Sequence, residues 1–128
     1  MRSAAYCQRL FTVGALWNWG VAGLITALAL FELEGIAWFL NEVPKSFLWL
    51  YFSMGAVAVF GLGYYWVGRD VQRNRAIIKM GVVGKTMVFA LILPAWQTGE
   101  VTALTAAAAT VDLVFTILFI DVLMKNPA

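Results

Sequence analysis

Histidine is absent, cysteine occurs once, as Cys7, and charged residues make up only 12% of the 128-residue chain. Each scarcity removes something. Without histidine there is no His-ligated haem, no His-based zinc site and no imidazole general base. A single cysteine excludes an intrachain disulfide. An ordinary soluble domain carries ~25% charged and ~45–50% apolar residues, whereas here 62% are hydrophobic. That composition excludes a soluble domain, a disordered chain and a nucleic-acid binder. It points to an integral membrane protein of one domain. No cofactor or metal site is expected, since the usual protein ligand for haem or a chlorin is missing.

What is present is organised in long apolar runs. A spanning helix needs ~20 mostly apolar residues. Leu10–Phe31 and Ser46–Gly68 contain no charge; Ala76–Trp96 is broken only by Lys79 and Lys85, and Val101–Asp121 only by Asp112 and its last residue. Lipid offers backbone groups no hydrogen-bond partner, and four short segments cannot close a barrel. The expected fold is therefore all-α, an integral membrane four-helix bundle with spans at 10–31, 46–68, 76–96 and 101–121. The first span has a basic start and an Ala27-Leu28-Ala29 pattern like a signal-peptide cleavage site. Its apolar run exceeds the usual ~7–15 residues of a signal sequence, so it reads as an uncleaved anchor.

Charge is distributed unevenly along this pattern. Arg2, Arg9, Arg69, Arg73, Arg75, Lys79 and Lys125 fall on one side of the membrane and only Lys45 on the other, which instead holds Glu32, Glu34, Glu42 and Glu100. Short cytoplasmic loops carry the Lys/Arg excess, so both termini are expected in the cytoplasm and the chain in a bacterial inner membrane. Glu32–Lys45 is the longest connection, and its run Ile36-Ala37-Trp38-Phe39-Leu40 suits a short interfacial helix. Gln97–Glu100 reads as a tight turn that makes the last two spans a hairpin, with Pro94 too near the helix end to kink it much. Trp38, Trp49 and Trp96 suit an outer aromatic belt, and Tyr6, Tyr64, Tyr65 and Trp66 an inner one. Ala106–Ala109 forms a small-residue patch that would let a neighbouring backbone approach.

Lys85 and Asp112 interrupt their spans, and each costs ~2.5–3.5 kcal/mol at a helix centre. Lys85 lies nine residues past Ala76 and Asp112 nine before Asp121, so both sit ~13 Å from the same end at 1.5 Å per residue. As hairpin neighbours at one level they are expected to pair. Asn18 enters at ~12 Å by the same count. Thr116 lies one turn from Asp112, and Tyr64 could reach inward. Gly81 and Gly84 flank Lys85 and would let the third helix approach a neighbour. A buried cluster of Asn18, Lys85, Asp112 and Thr116 follows. It could fix only the register of the bundle, or form a ligand, proton or ion site; alternatively Lys85 snorkels outward. Arg69, Arg73, Arg75 and Lys79 could bind anionic lipid headgroups at ~1 kcal/mol each, or set topology alone. Asp70 could pair with a neighbouring Arg or cap the third helix.

The second half carries a likeness. Arg73-Asn74-Arg75-Ala76-Ile77, then Gly81 and Gly84-Lys85, then Asp112-Leu113-Val114-Phe115 with Leu118-Phe119, resembles a group of small bacterial four-helix membrane proteins, DoxX-like in general plan. The resemblance covers about residues 60–123. It implies topology and draws attention to Lys85 and Asp112, and it implies no activity. Small multidrug transporters are similar in length but need a membrane-embedded Glu in the first helix, where this chain has Asn18.

Four functions compete. Small size and short loops favour an accessory or structural subunit that packs on a membrane-protein partner or on a copy of itself. A binder or carrier of an apolar ligand (lipid, quinone or sterol-like) would use Lys85, Asp112 and Asn18 as its few polar contacts. An intramembrane enzyme would use Asp112 as acid or base, but nothing resembles a nucleophile–base arrangement. A proton-coupled transporter needs an Asp112 that titrates, which a paired lysine opposes. The subunit is the leading expectation and the binder the alternative.

Overall fold

The computed structural model describes residues Met1–Ala128. Four α-helices, α1 (Ala4–Phe31), α2 (Leu48–Arg69), α3 (Arg75–Gln97) and α4 (Ala103–Lys125), carry the fold, with a 3-10 helix at Leu33–Trp38 between the first two. All four α-helices are long and apolar enough to cross a membrane, as in a multi-pass membrane protein. Large apolar side chains such as Phe52, Val59, Val83, Leu91 and Ile117 stand exposed on the outside, a surface that hydrocarbon tolerates and water does not.

The helices overrun the apolar spans where the flanking residues favour helix. α1 starts at Ala4 because the Ser3 hydroxyl accepts from the Tyr6 N–H at 3.1 Å, a side-chain N-cap placed ahead of the first apolar residue. α4 runs past Asp121, whose carboxylate is met by Arg2 Nε at 2.7 Å. Between α3 and α4, Gly99 takes φ +81°. The Glu100 N–H donates to the Ala95 carbonyl and the Gly99 N–H to the Trp96 carbonyl. This is a Schellman close, and glycine suits it because only glycine enters the left-handed region without strain.

The bundle is built as two hairpins. α1 lies close along α2 and α3 along α4, while α2 meets α3 over a shorter stretch. α1 and α4 are bridged by large side chains: Phe11 stacks on Phe119 with ring centroids 4.6 Å apart, and Phe115 and Phe119 reach to Gly14. The densest packing lies towards the termini, where Cys7, Phe11, Tyr64, Val67, Ile78, Phe119 and Val122 form one buried cluster.

Backbone clasps close both ends. At the far end, Leu40 pairs with Val101 in a single antiparallel bridge. The Thr105 hydroxyl donates to the Phe39 carbonyl at 2.7 Å, and Asn41 Nδ2 donates to the Gly99 carbonyl at 2.6 Å. The short helix expected at 36–40 thus forms earlier, over Leu33–Trp38, because Phe39–Asn41 is drawn into this clasp. Its Ile36 is fully buried and its Gly35 rests on Leu28, so one face is packed on protein rather than lying free in the interface. At the terminal end, Arg2 N donates to Asn126 Oδ1 at 3.1 Å and Asn126 Nδ2 donates back to the Arg2 carbonyl at 3.2 Å. Both termini therefore lie at one end of the bundle.

Candidate functional site

Lys85 and Asp112 stand near the middles of α3 and α4, and they meet. Lys85 Nζ donates to Asp112 Oδ1 at 2.5 Å and to Asn18 Oδ1 at 3.0 Å. Asn18 in turn donates through Nδ2 to the Val57 carbonyl of α2 at 3.0 Å. One ammonium group therefore ties α3 to α4 and α1, and through Asn18 to α2. The Tyr64 and Phe115 rings lie 5.4 and 5.1 Å from Nζ, within cation–π range. These partners explain how a charge sits at helix mid-length: every polar atom buried here is hydrogen-bonded, as interior polar groups require.

The two charges are not equally enclosed. The Lys85 side chain keeps 5% of its surface and Asp112 keeps 17%. Trp17 Nε1 donates to Asp112 at 3.3 Å, and it reaches the same Oδ1 that Lys85 uses. Asp112 Oδ2 accepts neither bond. Trp17 is the member of the site that the sequence reading missed; its position beside Asn18 was the available signal, but an indole in a membrane helix reads first as an interfacial anchor. Thr116 is buried as expected, yet its hydroxyl bonds back to the Asp112 carbonyl at 3.1 Å. It supports its own helix and touches neither charge.

Tyr64 is not part of the inner aromatic belt. It is 1% exposed and packs edge-on against Phe119 at 5.1 Å. Gly81 receives its ring: a Cβ there would fall 2.7 Å from Tyr64 Cε1 and 2.9 Å from Oη. Gly84 likewise faces Phe60 at 3.6 Å. Gly81 is thus a socket for an aromatic ring, whereas Gly84 stands where a Cβ would make only ordinary contact with one. Gly81→Ala should therefore cost about 1–3 kcal/mol, the range for overpacking a filled core, because Phe119 walls the ring on its other side. Thermal unfolding in mild detergent measures this, and adding Tyr64→Leu should recover most of it.

The basic loop is partly committed to structure. Arg75 donates to the Asn126 carbonyl and, at 3.4 Å, to the Leu123 carbonyl, so it caps the C-terminal end of α4. Arg69 bonds the Tyr65 hydroxyl and lies 4.9 Å from that ring. Asp70 accepts from the Arg73 N–H at 3.0 Å, closing the turn rather than capping α3. Asn74 Nδ2 reaches back to the Trp66 carbonyl at 3.0 Å and closes α2. Arg73 and Lys79 form no ion pair or side-chain hydrogen bond within the chain and have their charges free.

Two apolar grooves mark the far half of the bundle. One of about 540 Å³ lies between α1 and α2, beside Trp19, Gly23, Tyr51 and Gly55. The other, about 270 Å³, lies between α3 and α4 beside Ile92, Trp96 and Ala106, and it ends at Phe89 and Ala109. Those two residues stand one helical turn from Lys85 and Asp112. No protein-family model matches this chain, and no curated protein or solved structure matches it either.

Proposed function

We propose that this chain is a small multi-pass membrane protein that binds an apolar, lipid-like ligand, with the Lys85–Asp112 pair as the polar anchor. The observation that carries the reading is the asymmetry of the pair: Lys85 is closed off, and Asp112 keeps an exposed carboxylate edge at a depth where the surroundings are hydrocarbon. A pair that served only to fix register gains nothing from that exposure, since an uncovered charge in hydrocarbon is costly. The alanine-lined groove that ends one turn away offers room for an apolar tail. A ligand with one polar head and a greasy body matches both.

In this reading the termini and the Arg73–Lys79 end face the cytoplasm of a bacterial inner membrane, by the charge asymmetry of the loops. Arg73 and Lys79 meet anionic headgroups there, while Arg69 and Arg75 serve mainly the fold. The DoxX-like resemblance contributes the four-helix plan alone.

Mass spectrometry of the gently extracted protein tests the proposal. A stoichiometric small apolar molecule should accompany the wild type and be depleted from Asp112→Asn. A stoichiometric protein partner, with no small molecule, would overturn the reading in favour of an accessory subunit.

A further inference from the structure

We infer that the ligand's head must donate a hydrogen bond: the site takes an apolar alcohol or other hydroxyl-bearing molecule and discriminates against the same molecule with its hydroxyl masked. This deepens the binding reading above and rests on it.

The donors and acceptors around the pair set this selectivity. Lys85 Nζ gives two of its three protons to Asp112 Oδ1 and Asn18 Oδ1, and the rings of Tyr64 and Phe115 flank the nitrogen. The Trp17 indole N–H is spent on Asp112 Oδ1. Asn18 Nδ2 is spent on the Val57 carbonyl, and the Thr116 hydroxyl on the Asp112 carbonyl. Tyr64 makes no hydrogen bond through its hydroxyl, and its side chain, 1% exposed, presses on Gly81. The donors that reach the carboxylate and its neighbours, from Trp17, Asn18 and Thr116, are thus engaged, and Lys85 itself is closed off.

One acceptor is left over. Both bonds to Asp112 converge on Oδ1, and the carboxylate is the partly exposed member of the pair. An ionised carboxylate accepts only, and in a dry surrounding an unmet lone pair is expensive. A hydroxyl satisfies Oδ2. A carbonyl, ether or ester oxygen cannot, and it would bring its own unpaired lone pairs against a negative charge. The site therefore selects by hydrogen-bond polarity, which is the kind of discrimination that buried polar groups perform best.

The test is a matched pair of probes, 1-hexadecanol and hexadecyl methyl ether, titrated into the purified full chain in nanodiscs. The indole N–H resonance of Trp17 reports binding, because that group shares the carboxylate with the ligand. The alcohol should bind at least about ten-fold tighter than the ether, the scale of one hydrogen bond to a charged group. In Lys85→Met/Asp112→Leu, which removes both charges together, the ratio should fall to near one, with circular dichroism confirming that the bundle is intact. Equal binding of alcohol and ether by the wild type would overturn the inference and leave a ligand-binding protein of different selectivity. Binding of neither probe would overturn both this inference and the binding reading beneath it.

Discussion

Lys85→Met should be among the most damaging single changes in this protein. It leaves the Asp112 carboxylate at mid-bundle with only the Trp17 indole to meet it. Removing one member of a buried pair costs about 3–5 kcal/mol, most of it the penalty of the stranded charge. Asn18 also loses the donor to its Oδ1 and keeps only its own bond to Val57. Lys85→Met/Asp112→Leu should recover the larger part of the loss, since replacing both partners with well-packed apolar groups is often neutral. Denaturation in detergent, following helix content, gives the three stabilities. A double variant no better than Lys85→Met would show that the cost lies in packing rather than in charge.

Phe119→Ala should be nearly as costly for a different reason. Phe119 is fully buried and touches three other rings: Phe11 at 4.6 Å, Tyr64 at 5.1 Å and Phe115 at 5.9 Å. Truncating a buried Phe costs about 3–5 kcal/mol in water-soluble cores. In a bilayer the exposed alternative is hydrocarbon rather than water, so the transfer part shrinks while the lost packing remains. The expected loss is about 3 kcal/mol, at the lower end of that range. Phe119 also joins α4 to α1, which share little backbone contact. The variant should therefore loosen the seam between the hairpins before either hairpin unravels, a pattern that hydrogen exchange resolved by segment would show.

Much of this architecture was legible in the residues because a bilayer imposes simple rules. Length and apolarity alone place four helices, since only helices and closed barrels span lipid and four segments cannot close a barrel. The Lys85–Asp112 contact was legible because helix rise is constant and a tight turn fixes the level of two hairpin partners. What stayed hidden depends on side-chain direction. Tyr64 sits near a helix end like an interfacial anchor, and only the opposed Gly81 shows that its ring turns inward. Thr116 shares a face with Asp112, but serine and threonine in helices bond back to their own turn, and it does so here. The clasps were out of reach too. Thr105 and Asn41 meet backbone carbonyls far away in sequence, and backbone groups leave no mark in the residue types that would announce them.

The division into two hairpins has a consequence for how the chain enters its membrane. A lone α3 would carry an uncompensated ammonium into the hydrocarbon, at ~2.5–3.5 kcal/mol on insertion scales, and a lone α4 would carry a carboxylate. The opposite charges face each other inside one hairpin, so α3 and α4 entering together bring a mutually neutralised pair to mid-helix before α1 and α2 join. The first hairpin is likewise self-sufficient, because Asn18 has its Val57 partner within it. Each half therefore settles most of its own polar debts before the halves meet, and what remains for their docking is the fit of aromatic rings, the bonds of Asn18 to Lys85 and of Trp17 to Asp112, and the clasps at the two ends.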